Sequence, residues 1–334
     1  MLFDINMQRA IVTGGAGFIG SNIVRELYKK GTKVTVVDWF NPDKEFCKGK
    51  PQNLQSLDIE IINRDIRQVN WSELFDKYKP DAVFHDAAIA ITTIHDEDEM
   101  MSVNLGASMR LIRAAVERNI PVVYASSAAV YGHEPSPNSE EGCHTPANIY
   151  GDSKYVLDRC VLRIIEKNQN AKIVGLRYFN IYGPGEDYKG NMASMIHQLF
   201  HQMNRGERPA IFPDGTQSRD FVYVKDVVAI NMLAATSGKS GIFNVGTGKA
   251  NSYNAMIKHI NEALGTHLEI DYVSKGKAPA FFQSFTQADT RLAKEKLGFT
   301  TKFSFRDGIH DYVNYLKNSP EHASNCQACK KTKK

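Results

Sequence analysis

The stretch that most limits what this chain can become lies between Arg9 and Tyr28. Arg9, Ala10, Ile11, Val12 and Thr13 form a short apolar, β-branched run, and Gly14-Gly15-Ala16-Gly17-Phe18-Ile19-Gly20 follows at once. From Ser21 to Tyr28 apolar residues return at helical spacing. The pattern predicts strand, glycine turn and helix. Gly14, Gly17 and Gly20 lack the side chains that would keep a backbone away from a pyrophosphate, and the N-terminus of the next helix favours negative charge. The spacing is G-x-x-G-x-x-G rather than G-x-G-x-x-G. A glycine pattern alone is a weak signal, but between a strand and a helix it becomes a strong one.

The segments that follow repeat the alternation. Residues 33–37 predict a second strand ending in Asp38, eighteen residues beyond Gly20, where an acid binds adenosine ribose hydroxyls and leans toward NAD. The plainer reading of Asp38 is a strand-end turn. Ile61-Ile62 before Asp65-Ile66 predicts a third strand end, where adenine could be held. Residues 82–85 lead into Asp86-Ala87-Ala88, read here as small residues that admit a cofactor's close approach. Asn104 falls inside the helical run 100–116, where an asparagine is usually polar surface. Residues 121–125 predict a buried strand that delivers Ser126 and Ser127 to the carboxyl end of the sheet, the ligand-binding edge of open α/β folds.

Tyr150-Gly151-Asp152-Ser153-Lys154 reads as the opening turn of a helix. Residues four apart share one helical face, so the ammonium of Lys154 can approach the phenol of Tyr150. A phenol titrates near about 10, and a neighbouring positive charge lowers that value toward a useful base. An isolated Y-x-x-x-K is ordinarily an exposed pair. Ser127, twenty-three residues before Tyr150, leaves enough chain for the two to converge.

The expected fold class is α/β, a Rossmann-type doubly wound parallel sheet with a smaller, discontinuous α/β substrate lobe. Regular alternation stops after residue 178, and the helix expected over 192–204 belongs to a different arrangement. The expected boundaries are 1–178 plus 221–247 and about 296–318 for the nucleotide-binding domain, and 179–220 plus 248–295 for the substrate lobe. Residues 319–334 read as a basic, disordered tail.

A chain of 334 residues suits two lobes, each with its own core. Hydrophobic residues at 42% and charged ones at 23% are globular values. A net charge of +4, with four of the lysines in the last five residues, does not argue for nucleic acid. No apolar run is long enough to span a bilayer, and no leader pattern opens the chain, so a cytoplasmic protein is expected. Five scattered cysteines fit reduced thiols. Cys326 and Cys329, with His322 nearby, supply three ligands where structural zinc takes four, and no metal site is expected.

Taken together, Gly14, Gly17, Gly20, Asp38, Asp65, Ser127, Tyr150 and Lys154 resemble the extended short-chain dehydrogenase/reductase family of nucleotide-sugar enzymes, over residues 9 to about 316. Residues 189–194 and 285–289 are the stretches that discriminate, being similar to the branch that epimerises a nucleotide-linked heptose. The resemblance implies a nucleotide-diphosphate sugar as substrate and an NAD(P) cofactor, one per subunit of a homo-oligomer. Cofactor contacts then fall on Gly14, Gly17, Phe18, Ile19, Gly20, Asp38, Trp39, Lys44, Asp65, Ile66, Ala87, Ala88, Asn104, Tyr150, Lys154 and Ile181. Substrate contacts fall on Ser127, Asn180, Asn191, Phe212, Arg219 and Phe282. It further implies that Tyr150 and Lys189 act as two acid/bases on opposite faces of a sugar carbon, with Ser127 on the reacting oxygen. Lys154 would hold the nicotinamide ribose and lower the tyrosine pKa.

The sequence departs from the family in three places. Asn191 stands where better-known members carry Ser, Phe281-Phe282 replaces an Arg-Tyr pair, and the segment after Asp38 differs in length. Members often use NADP despite an acid at the position of Asp38, with a lysine taking the phosphate, so both cofactors stay open. A 4,6-dehydratase would need an acid and a carboxylate where Ala128-Ala129 stand. A UDP-hexose 4-epimerase shares Ser127, Tyr150 and Lys154 but has no need of Lys189. A regulatory subunit that binds cofactor without turnover is the third reading.

Overall fold

Strands covered by helices on both faces are built from near-continuous Val, Ile and Ala runs, because both rows of side chains must be buried. The computed structural model, which describes residues 7–41, 50–91, 96–212, 214–273 and 283–319, turns those runs into strands. In chain order they are β1 (Arg9–Thr13), β2 (Lys33–Asp38), β3 (Glu60–Asn63), β4 (Ala82–His85), β5 (Val122–Ser127), β6 (Ile173–Tyr178), β7 (Asn180–Tyr182), β8 (Ala210–Ile211), β9 (Ser218–Tyr223), β10 (Gly241–Val245), β11 (Ala250–Ser252) and β12 (Asp271–Tyr272). The helices are α1 (Phe18–Lys29), α2 (Trp71–Tyr78), α3 (Glu97–Met101), α4 (Ser108–Val116), α5 (Ile149–Lys167), α6 (Met195–Asn204), α7 (Val224–Thr236), α8 (Tyr253–Leu264), α9 (Arg291–Leu297) and α10 (Phe305–Asn318).

Seven strands form one sheet in the order β10-β6-β5-β4-β1-β2-β3. Every pairing in it is parallel. The order reverses between β1 and β4, so a crevice opens above the carboxyl ends of those two strands. One face packs under α1, α7 and α9 through Ile23, Val24, Leu27, Val227, Ile230 and Leu297. The other packs under α2, α4 and α5 through Phe75, Leu111, Ile112, Leu157 and Val161. This is the Rossmann-type doubly wound sheet expected from the alternation.

A third core lies apart from the large sheet. Ile196, Leu199 and Phe200 of α6, Met256, Ile257 and Ile260 of α8, and Ile309, Tyr312, Val313 and Leu316 of α10 close around Tyr182, Phe221 and Tyr223. Two small sheets border it, β11-β9-β7 and β12-β8. Here the packing differs from the expected boundaries. Helix α10, expected in the nucleotide-binding domain, buries its apolar face in this third core. Ala293 and Leu297 of α9 pack under the large sheet although residues up to 295 were expected in the substrate lobe. A helix's lobe is decided by what its stripe meets, and amphipathicity alone does not reveal the partner.

Residues 97–116 form a helix in three parts, with a π-helical turn, Ser102–Ala107, between α3 and α4. Asn104 sits in that turn and is fully buried, which overturns the surface reading. Its side-chain carbonyl accepts the Ile89 N–H at 2.8 Å, and its amide donates to the Ile89 carbonyl at 3.0 Å and to the Ser153 hydroxyl at 3.0 Å. The π turn thus ties the loop after β4 to the first turn of α5. The helix expected from residue 192 begins at Met195, capped by the Ser194 hydroxyl. Residues 187–192 coil instead as a 3₁₀ turn that carries Lys189.

Candidate active site

The strand ends above the crevice line one cavity of about 870 Å³. Gly14 follows β1, Asp38 ends β2, Asp65 follows β3, Asp86 follows β4, Ser127 ends β5 and Asn180 follows β6, and all six line it. So do Gly17, Phe18, Ile19, Gly20, Trp39, Ile66, Ala87, Ala88, Tyr150, Lys154, Ile181, Lys189 and Asn191. Asn104, Phe212 and Arg219 do not line it. Lys44 and Phe282 lie outside the described residues, as do Cys326 and Cys329.

The glycine turn has the shape a phosphate cradle needs. Gly14 takes φ +66°, and a Cβ there would lie 2.6 Å from the Ala87 nitrogen. At Gly20 a Cβ would lie 2.3 Å from the Gly14 carbonyl oxygen, so the helix could not approach the turn. Gly17 begins α1 without a side-chain cap, which leaves the first N–H groups for another acceptor. The Tyr188 hydroxyl takes one of them, accepting the Phe18 N–H at 3.1 Å. Asp38 closes the turn from the far side: its carboxylate accepts the Ala16 N–H at 2.9 Å and the Trp39 N–H at 2.8 Å. Asp65 caps the short 3₁₀ turn at Ile66 and pairs with Arg67 at 2.6 Å. Burial would raise its carboxyl, but the Arg67 bonds outweigh burial and hold it below the usual carboxylate range. An open helix N-terminus, a side-chain-free turn and two strand-end acids suit a dinucleotide.

The reacting end is built from α5 and β5. The Asn148 side chain accepts the Gly151 N–H at 2.8 Å, which starts α5 and sets Tyr150 in its first turn. Lys154, one turn on, is buried and donates to the Ala125 carbonyl at 2.8 Å. Its ammonium stands 6.0 Å from the centroid of the Tyr150 ring. Burial pushes Lys154 down to about 8, with Asp158 and Asp86 acting against it.

The expected lowering of Tyr150 by that ammonium is not what the geometry gives. Burial raises the phenol above its ordinary value, and the opposing contribution is its hydrogen bond with Ser127. The lysine donates to the Ala125 carbonyl and lies in the field of the Asp158 and Asp86 carboxylates. Burial thus favours the neutral Tyr150 phenol, and the hydrogen bond with Ser127 acts the other way.

The sequence alone presents Asp86 as one of three small residues, with Ala87 and Ala88. Both its carboxylate oxygens are buried with no hydrogen-bond partner among the described residues. Burial pushes its pKa up to about 7, with Lys154 acting against the rise. The one available signal was a charged residue in an otherwise apolar strand end. Its neighbour His85 is structural: the ring is pinned between the Thr13 hydroxyl at 2.6 Å and the Ser108 hydroxyl at 2.8 Å, and burial lowers its pKa to about 3.

Lys189 enters from the other lobe. Glu186, buried, accepts the Gly183 N–H at 2.9 Å and the Ser194 N–H at 2.5 Å, which folds the 187–192 turn back over the cavity. The Lys189 ammonium lies 5.1 Å from the centroid of the Phe18 ring. Burial lowers its pKa, and the Glu186 carboxylate opposes that. Arg219 is also buried, but its guanidinium donates to the backbone carbonyls of Ser218 and Gln283.

Residues 10–246 match the NAD dependent epimerase/dehydratase family. Among solved structures, the chain is 33% identical to Helicobacter pylori ADP-L-glycero-D-manno-heptose-6-epimerase over 96% of this chain and 99% of that one, at a TM-score of 0.85. A UDP-N-acetylglucosamine 4-epimerase from Methanobrevibacter ruminantium, in complex with UDP-N-acetylmuramic acid, shares 30% identity over 92% and 97% of the two chains, at 0.82. The UDP-glucose 4-epimerase of Thermus thermophilus, in complex with NAD, shares 28% over 93% and 100%, at 0.76. The family match spans well over half of the chain, and the chain belongs to the NAD-dependent epimerase/dehydratase family.

Proposed function

We propose that this protein is a nucleotide-sugar epimerase that inverts an unactivated carbinol through a transient ketone, with ADP-glycero-manno-heptose as substrate and carbon 6 as the centre. The observation that carries the reading is Lys189, a second titratable base lining the same cavity as Tyr150, Ser127 and Lys154. A nicotinamide dinucleotide, whose pyrophosphate the Gly14-Gly17-Gly20 turn would admit, would supply reversible acceptance of a hydride, so the cofactor would be recycled within each turnover. The protein's part is proton handling. A hydroxyl proton leaves on one face of the carbon and returns on the other, which one side chain reaches poorly. Tyr150 comes from α5 beside the large sheet and Lys189 from the turn of the smaller lobe, so the two divide the work. Burial makes Lys189 easier to deprotonate, as a base working near neutral pH requires. Ser127, bonded to Tyr150, orients the reacting oxygen.

The cofactor is NAD(P), one per subunit, with Asp38 beside the adenosine ribose. NADP is the choice that the family resemblance favours. The second reading, a UDP-hexose 4-epimerase, is supported by the relatives of that activity and by the shared Ser127, Tyr150 and Lys154. Incubation with ADP-heptose and, separately, UDP-galactose, with the epimers resolved, distinguishes the two. Turnover of ADP-heptose without accumulation of NAD(P)H is the expected result. Stoichiometric NAD(P)H would exclude an epimerase, and cofactor binding without turnover on any nucleotide sugar would favour a regulatory subunit.

A further inference from the structure

Behind the Lys189 turn lies a group that the proton chemistry does not use. Asp187 opens the 3₁₀ turn, and His197 and His201 stand one turn apart on α6. One ligand atom from each falls within 4.8 Å of the others. The two imidazoles meet edge to face, with centroids 4.5 Å apart. Asp187 adds a carboxylate to the two imidazoles. The Tyr312 hydroxyl lies 2.8 Å from a ring nitrogen of the buried His197 and fixes the ring's orientation, as the outer partner of a metal-bound imidazole does.

We infer that Asp187, His197 and His201 form a site for a divalent transition metal of the zinc class, which fastens the Lys189 turn to α6. Two imidazoles and one carboxylate suit zinc or cobalt and are a poor set for magnesium or calcium, which take oxygen ligands. Three protein ligands leave a fourth tetrahedral position for water. Bonds of about 2.0–2.1 Å would draw the ligand atoms to roughly 3.4 Å from one another. That movement would come from Asp187 and His201, both partly exposed. A turn fastened at Asp187 has less freedom at Lys189, two residues on.

The test reads metal alone, so it stands or falls apart from the epimerase reading. The full chain, stripped with a chelator, is titrated with zinc against a chromophoric competitor, and separately with cobalt(II) to record its visible spectrum. Cys326 and Cys329 also present thiols, so the chain is compared with its Cys326→Ser/Cys329→Ser form. The expected result is one zinc per chain that survives the cysteine substitutions, with a cobalt spectrum of nitrogen and oxygen ligation. His201→Gln and Asp187→Asn should each weaken binding at least tenfold, and Tyr312→Phe about tenfold. Circular dichroism of each variant checks that the fold is kept, and zinc should raise the thermal midpoint of the parent but not of His201→Gln. Loss of zinc with the cysteines, unchanged affinity in folded His201→Gln and Asp187→Asn, or no binding below millimolar zinc would each overturn the site.

Discussion

The Lys154 ammonium donates to the Ala125 carbonyl at 2.8 Å while standing 6.0 Å from the centroid of the Tyr150 ring. Its charge is therefore anchored to the end of β5 and set back from the phenol. Tyr150 is held by Ser127 and raised by burial. The tyrosine's acidity thus depends on what fills the cavity beside it.

Tyr150→Phe keeps the ring and removes the proton. Turnover should fall by about 10²–10⁴-fold, the usual worth of a positioned acid/base. Cofactor affinity, measured by quenching of protein fluorescence, should change little. A variant with near-parental turnover would remove Tyr150 from the chemistry.

Asp86→Asn tests the unpartnered carboxylate. Asp86 raises the pKa of Lys154, which burial otherwise lowers, to a net value of about 8. If the Lys154 ammonium holds the nicotinamide ribose, as the resemblance implies, its deprotonation would weaken that hold, so cofactor affinity should decline as pH rises through that value. Without the Asp86 charge the decline should begin at lower pH. Titration of cofactor binding from pH 6 to 9 reads the shift, and superimposable profiles would contradict it.

Lys189→Met should abolish epimerisation while leaving cofactor binding intact, because the dinucleotide is gripped from the large sheet. Each single variant, this one and Tyr150→Phe, keeps the base that serves one face. On a carbonyl analogue each should retain a half-reaction, with opposite stereochemical preference, and the double variant neither. The losses in full turnover should be non-additive, since either removal already blocks the cycle. Near-normal turnover of Lys189→Met would favour the 4-epimerase reading.

Asn104→Ala removes a side chain bonded to the N–H and the carbonyl of Ile89 and to Ser153. Stranding such buried groups should cost about 2–4 kcal/mol of stability, at 1–3 kcal/mol for each unsatisfied group with partial relaxation. Denaturant unfolding measures it. A change below about 0.5 kcal/mol, the size of an ordinary surface substitution, would contradict the tether.

What the sequence discloses here is what neighbours along the chain decide. Gly14, Gly17 and Gly20 sit between a strand and a helix, and Tyr150 and Lys154 share a helical face, so spacing alone brought out turn and pair. Asn104, Asp86 and Tyr188 depend on segments far apart in sequence. A buried asparagine and a surface one have the same neighbours in a helical run. What separates them is Ile89, fifteen residues away on another element. Helix α10 shows the same limit: its stripe alone does not name a partner, and it packs with α8 beside Phe221 and Tyr223 of β9.

Tyr188 also bears on the cradle. Its hydroxyl takes the Phe18 N–H at 3.1 Å, the donor that a pyrophosphate oxygen docking on this helix N-terminus would use, so tyrosine and phosphate would compete for one hydrogen. Lys189 is the next residue in the same coil, its ammonium 5.1 Å from the centroid of the Phe18 ring, so whatever displaced the phenol would bear on that ammonium as well.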